Sequence, residues 1–318
     1  MRLALASTAY SDLPLADAAA RLQALGLDAI ELAVDTRARL CDVDTLLDGD
    51  QRRAIQRLLA ERGLDIVALA NHDDGQLVLG PHHAVTDGFY RGTAEEKRAY
   101  GIRRMKDTAR AADALGVRLV AGFTGCPDYA RWFHWHDQAG WEANYEALAE
   151  DWSEILDVYR EYGVRFAHEL HPKQVVYEPV GARRSLELFA GYDEWGFSFD
   201  TANLMLAGVD PVAFAHEFAA RIFYVHAKDA EVVEPTARDH FIARPAYGEL
   251  GRNFRFRVPG WGQVPWTKVI TELHTGGYAG VVAVETEDAT LGRWEGCRRG
   301  LDHIRPLLPT EPLAPRWW

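Results

Sequence analysis

Hydrophobic and polar positions along this 318-residue chain repeat one phrase. A short apolar run is followed by a few polar residues and then by a stretch with apolar residues three and four apart, often closed by glycine. The runs are LALAST (3–8), AIELAV (29–34), IVALAN (66–71), RLVAGFT (118–124), RFAHEL (165–170), GFSFDT (196–201), FYVHAK (223–228) and GVVAVE (280–285). Runs this short and this apolar predict buried strands. The segments LADAAARLQALG, DTLLDGDQRRAIQRLLAERG, TAEEKRAYGIRRMKDTARAADALG and WEANYEALAEDWSEILDVYREYG follow the first four. Each carries the single apolar stripe of a helix, and the closing glycine supplies the left-handed residue that ends it. Shorter helices are expected over 181–190, 211–221, 264–276 and 292–307.

Strand–helix alternation repeated eight times predicts parallel strands joined by crossover helices, an α/β fold. Eight such units in about 300 residues fit a (β/α)8 TIM barrel. An open doubly wound sheet is the alternative, but it needs a glycine-rich phosphate turn after an early strand, and LASTAYSDLP has none. One domain over 1–318 is expected, with long loops at 72–92, 125–140 and 229–263.

Composition narrows the function classes. The chain is 48% hydrophobic and 26% charged with a formal net charge of −12, and it has no long basic run, which argues against nucleic acid as a partner. Cys41, Cys126 and Cys297 form no CxxC spacing, so a thiolate zinc site is not expected and a reducing cytoplasm fits. The apolar N-terminal run is too short for a signal peptide or a membrane span.

The chemistry gathers where the strands end, which in this fold is the active-site face. Glu169 ends the fifth strand with His171 two residues on, Asp200 ends the sixth, His226 lies in the seventh and Glu285 ends the eighth. Neighbouring strands lie about 4.8 Å apart, so these four side chains can meet. One such acid alone is ordinarily a helix cap or the partner of a lysine. Four on consecutive strands point to a divalent metal held by Glu169, Asp200, His226 and Glu285. The oxygen-rich set favours Mn2+, with Mg2+, Co2+, Zn2+ or Fe2+ as alternatives.

Two further stretches bear on substrate. GCPDYARWFHWHDQAGWE (125–142) sets His134 and His136 among aromatic residues that include Trp132. Such a loop at a barrel mouth stacks on sugar rings or planar aglycones, and one of the two histidines is expected to act as acid or base. His72, in ANHDDG after the third strand, is read as a substrate contact, whereas His82, His83 and His168 are read as structural. Arg252, Arg255 and Arg257 alternate as in a solvated hairpin or an interface strand, so a non-phosphorylated substrate is favoured.

The motifs HELHPKQVVYEP (168–179), FSFDTANLMLAGVDP (197–211), YVHAKDAEV (224–232), VPGWGQVPW (258–266) and VETED (284–288) run in one order. NHDDGQLVLGP (71–81) and KDTARAADALGVRLVAGFTG (106–125) precede them. Together they resemble the sugar-phosphate isomerase/epimerase superfamily, the xylose isomerase-like barrels, over nearly the whole chain. The resemblance implies the same four metal ligands, with Glu169 and Glu285 moving a proton next to a sugar carbonyl through an enediolate. It also implies that His171 binds a substrate hydroxyl and that Lys228 and Asp229 orient His226 or reach the substrate. Asn203 stands where many epimerase relatives carry a second substrate-binding histidine, so substrate grip is expected to differ there.

Within the superfamily, the catalytic subunits of C-glycoside deglycosidases resemble this chain too. That resemblance implies a lyase-type elimination on 3-oxo-glycosides and a small β-rich partner subunit. The terminal Trp317 and Trp318 suggest docking onto the barrel or onto a neighbouring subunit, consistent with a homo-oligomer. A phosphodiester-cleaving barrel is disfavoured by the acidic balance and the single ligand cluster. A non-catalytic sugar-binding barrel is disfavoured by the retention of all four ligands.

Overall fold

The parallel ring begins with β1 (Arg2–Leu5), β2 (Ala29–Ala33), β3 (Asp65–Asn71), β4 (Leu119–Gly122) and β5 (Arg165–Glu169). It continues with β6 (Trp195–Asp200) and β7 (Ile222–Ala227). A two-stranded insertion follows, β8 (Asp229–Val232) with β9 (Phe254–Arg257), before β10 (Val281–Val284) completes the ring. The computed structural model describes residues 1–129, 140–233 and 253–313. The ring order is β1-β10-β7-β6-β5-β4-β3-β2, all neighbours parallel, and β1 and β2 lie side by side to give a nearly closed barrel. The expected (β/α)8 TIM barrel is therefore the fold, and all eight expected strands are present within two or three residues at their ends.

The principal helices are α1 (Leu15–Ala24), α2 (Val43–Leu47), α3 (Gly49–Glu61), α4 (Asp73–Leu79), α5 (Ala94–Leu115) and α6 (Glu142–Glu161). They continue with α7 (Pro179–Leu188), α8 (Thr201–Leu206), α9 (Pro211–Phe218), α10 (Trp266–Thr275) and α11 (Arg293–Ile304). Local chemistry sets their ends. At α5, Thr93 accepts the Glu96 N–H and Glu96 accepts the Thr93 N–H, a reciprocal cap that contributes about 1 kcal/mol. Gly116, at φ 77°, closes the same helix. None of the described helices is long and apolar enough to cross a membrane.

Three expectations need correction. The pattern read as one helix through DTLLDGDQRRAIQRLLAERG is two, α2 and α3, because the Asp48 side chain caps a new start by accepting the N–H groups of Asp50 and Gln51. The stretch 72–92 is not an open loop, since α4 fills its first third. The stretch 229–263 contains the β8–β9 hairpin, whose Arg255 and Arg257 both reach Glu231. Arg252 lies outside the described residues.

The inward face of the ring explains how the site is placed. Its floor is made of small buried side chains, Ala29, Ala167 and Ala283 among them, with the larger Tyr224. Side chains alternate across a strand with a period of two. Two residues beyond these four, on the same face, come Glu31, Glu169, Glu285 and His226. The outward face carries the apolar layer against the helices, where Trp152 packs on Phe166 with ring centroids 4.4 Å apart. His168 faces that layer, stacked 5.5 Å from Trp195 and bonded to the Val176 carbonyl, which confirms its structural role.

Candidate metal centre and its cavity

Glu169, Asp200 and His226 offer one ligand atom each, and these atoms all lie within 4.8 Å of one another. Strand register produces this, since Asp200 and His226 are direct partners across β6 and β7. Glu169 pairs with Ser198, one inward position before Asp200. Glu285, the fourth expected ligand, brings Oε2 to 3.4 Å from His226 Nδ1 but falls outside that set of three. Its other oxygen lies 3.3 Å from Lys228 Nζ. All four side chains are buried.

Asp200 reconciles the two readings of an acid at a strand tip. Oδ1 caps α8 by accepting the N–H groups of Ala202 and Asn203 at 2.8 and 2.9 Å. Oδ2 accepts from the Asn203 side chain at 2.9 Å. The residue is both a helix cap and a member of the acidic cluster.

The electrostatics of the cluster call for a positive charge at one atom. Glu31, on β2, accepts from His226 Nε2 at 3.1 Å. A carboxylate can only accept, so Nε2 carries a proton, and Nδ1 faces Glu169 Oε2 at 3.2 Å and Glu285 Oε2 at 3.4 Å. Among the described residues, neither His226 Nδ1 nor Glu285 Oε2 has a hydrogen-bond partner. Burial disfavours a charged imidazole, yet the Glu285, Glu169 and Glu31 carboxylates outweigh it and drive His226 well above its ordinary range. Burial, reinforced by Glu285 and Glu169 and only partly offset by Lys228, pushes Asp200 up to about 8. Burial also raises Glu285, against the pull of Lys228 and His226. Acids that resist ionising beside an imidazole that demands a charge are relieved together by one cation at the common point. The donor set, carboxylate oxygens with one imidazole, fits a divalent ion.

The other expected residues sort unevenly. His72 joins the cluster with Nε2 2.8 Å from Glu169 Oε2. Burial opposes its protonation, but Glu169 and Asp35 raise it to about 9. His171 lines the same cavity; burial pushes it down to about 4, and Nδ1 accepts the Lys173 N–H, leaving a neutral ring whose Nε2 has no partner among the described residues. Lys228 is not a surface lysine: it is buried among Glu285, Asp200 and Glu287, the last at 2.6 Å. Asn203 is buried beneath the cluster, donating to Glu169 Oε1 at 3.1 Å as well as to Asp200, so its amide holds ligands in place. Asp229 does not orient His226. Its carboxylate turns away and accepts from Gly260 N at 2.9 Å, Val264 N at 3.0 Å and Trp266 Nε1 at 2.9 Å. Trp132, His134 and His136, with the terminal Trp317 and Trp318, lie outside the described residues.

Sequence reasoning missed Glu31, which is buried and also accepts from the Ser7 hydroxyl at 2.5 Å. His226, followed by Ser7, offsets the cost of burial and holds Glu31 down at about 2. The only signal was a carboxylate in the middle of an apolar strand. Also missed were Asp35, Arg37, Asp73 and Glu287, which line the cavity with the cluster residues. The cavity holds about 360 Å³, the size of a small-ligand site.

Comparison with known proteins agrees with this architecture. A family model described as the xylose isomerase-like TIM barrel matches residues 19–307. An inosose dehydratase of Geobacillus kaustophilus (strain HTA426) is 28% identical over 148 residues, 46% of this chain and 46% of that protein, so the match spans about half of each. Among solved structures, an IOLI protein with a bound zinc atom aligns with a TM-score of 0.68 at 18% identity, covering 98% of this chain and 100% of that one. A D-psicose 3-epimerase with D-tagatose from Clostridium cellulolyticum H10 aligns with a TM-score of 0.65 at 15% identity, covering 97% and 99%.

Proposed function

The chain belongs to the xylose isomerase-like TIM barrel family, and from that premise we propose that it is a divalent-metal-dependent enzyme that removes the proton next to the carbonyl of a sugar or keto-cyclitol. One observation carries the reading. His226, held at Nε2 by Glu31, turns Nδ1 to the buried carboxylates of Glu169 and Glu285 at the floor of a ligand-sized cavity, a grouping that a bound cation would satisfy. Glu169, Asp200 and His226 would hold the ion, with Glu285 completing the set. When bound, such an ion polarises a carbonyl and stabilises the negative charge that develops on its oxygen.

The chain's own residues do the rest. Glu169 and Glu285 flank the place where the activated C–H sits, and a carboxylate there takes the proton and can return it. Lys228, kept charged by Glu285, Glu287 and Asp200 despite burial, donates hydrogen bonds to oxygen close to the reacting carbon. His171, neutral and with Nε2 open, holds a substrate hydroxyl. Mn2+ is favoured by the donors, and the zinc named with the IOLI structure keeps Zn2+ beside it.

Two outcomes of the same proton removal divide the relatives. Return of the proton gives the epimerase or isomerase reading, in line with the D-psicose 3-epimerase. Loss of a group from the next carbon gives a lyase, in line with the inosose dehydratase, and includes the deglycosidase variant on 3-oxo-glycosides. Elemental analysis of purified protein is expected to find one divalent ion per chain, retained by wild type and lost on Asp200→Ala. Wild type should exchange the substrate C–H with D2O, and the variant should not. A wild type that neither retains an added divalent ion nor exchanges a C–H in ketoses, inososes or 3-oxo-glycosides would exclude the function.

A further inference from the structure

Six acids line the cavity: Glu31, Asp35, Asp73, Glu169, Glu285 and Glu287. Five of them lie within 4 Å of a basic side chain. Glu31 is paired with His226, Asp73 with Arg37, Glu169 with His72 and His226, and both Glu285 and Glu287 with Lys228. Asp35 makes no such pair among the described residues. It lies two residues past β2 on the inward face, four residues beyond Glu31, and so stands at the mouth on the wall opposite β6 and β7. Oδ1 is fixed by the Asp73 N–H at 2.7 Å, at the start of α4, while Oδ2 has no partner among the described residues. Of the described cations nearby, Arg37 is turned onto Asp73 at 2.5 Å and His72 onto Glu169 at 2.8 Å.

An acid so placed is suited to give up a proton across the cavity from the metal. Building on the proton-removal function above, we propose that Asp35 is the general acid that protonates the hydroxyl leaving from the carbon beside the deprotonated one, making the reaction a dehydration. A glutamate of the cluster takes the C–H proton, and the electron pair of that bond becomes the new C=C bond. The neighbouring C–O bond breaks with its pair going to oxygen, and the oxygen takes the Asp35 proton. One water leaves; the glutamate releases the proton it took to solvent, and Asp35, now a carboxylate, regains one from solvent.

The surroundings agree with the role. Burial, then the charge of Asp73 and more weakly that of buried Asp74, raise Asp35 to about 7, with His72 pulling the other way. With Arg37, these are the charged groups that act on it from the loop after β2 and from the start of α4. Asp35 is thus protonated below neutrality and loses its proton as pH rises through about 7. The elimination is expected to fall along that limb.

A structural role for Asp35 would rest on the bond it accepts from Asp73. Asp35→Asn retains an oxygen for that bond and removes the acid proton, so it separates the two roles. The probe is an inosose with added Mn2+ in D2O, followed by NMR for C–H exchange and by absorbance for the unsaturated product. General acids contribute about 100- to 10,000-fold. The ratio of elimination to exchange is therefore expected to fall about 100-fold or more in Asp35→Asn, with loss of the high-pH limb. Infrared difference titration of the Mn2+-loaded protein supplies a readout apart from turnover: a protonated-carboxyl band that disappears near pH 7 in wild type and is missing in the variant. An unchanged ratio, or a band that persists in Asp35→Asn, overturns the assignment. So does a wild type that exchanges the C–H without eliminating water, which leaves the proton-removal function standing. A wild type that does neither removes that function and the assignment with it.

Discussion

A buried acid beside β3 and a group of buried acids on β5, β6 and β10 are held inside the protein for opposite reasons. On the β3–α4 side, Asp74 is fully buried, yet every demand it makes is met. Arg104 Nε donates to it at 3.0 Å, the Thr36 hydroxyl at 2.6 Å and the Asn71 amide at 3.2 Å. On the β5–β7 and β10 side, Glu169, Asp200 and Glu285 crowd one imidazole, and Nδ1 of His226 and Oε2 of Glu285 are left without partners among the described residues. The first is a finished structural tie, while the second has a gap shaped for a cation. Burial of acids does not distinguish them; the unsatisfied atoms do.

Three substitutions break or sharpen that contrast. Arg104→Met leaves Asp74 buried and unpaired, so urea unfolding should show the largest loss, about 3–5 kcal/mol. Divalent-ion stoichiometry, read by elemental analysis, should stay at one per chain. A loss below about 1 kcal/mol would mean that Asp74 has another outlet for its charge. Glu31→Gln weakens the hold on the His226 imidazole, and calorimetric titration with Mn2+ should show affinity down about 10- to 100-fold. Unchanged affinity would separate Glu31 from the cation and leave His226 oriented by the strand alone. Arg37→Gln removes a half-exposed partner of Asp73 and should cost less than about 1 kcal/mol in the same urea assay, with no change in Mn2+ affinity.

The barrel and the meeting of Glu169, Asp200 and His226 were legible because both follow from short-range periodicity. A two-residue alternation ending in Glu169, Asp200 or Glu285 places the acid inward and at the tip without any knowledge of the partner strand. Glu31 was not legible for the converse reason. Its role depends on His226, 195 residues away, and on ring closure that sets β2 across from β7. Asp229 misled because its position after HAK suggests the cavity, whereas it accepts from the Gly260 and Val264 backbone and the Trp266 indole of a later stretch. Helix α4 was hidden by its polar start, with two aspartates and a glycine in its first turn and no apolar stripe. Gly75 belongs there because a Cβ would collide with the Phe123 carbonyl of the neighbouring strand end. That contact arises only in the folded chain.

Lys228 and Asp229 are adjacent, yet one supplies the ammonium of the cavity and the other anchors the outer stretch 260–266. Gly262 packs so tightly on that anchor that any side chain there would strike the Asp229 carboxylate. The peptide joining the two residues is thus a shared fastening between the protein's rind and its reactive pit. Drift in the outer turn would not be silent: loosening it would release the strand end on which the ammonium stands and unsettle the charge balance beneath.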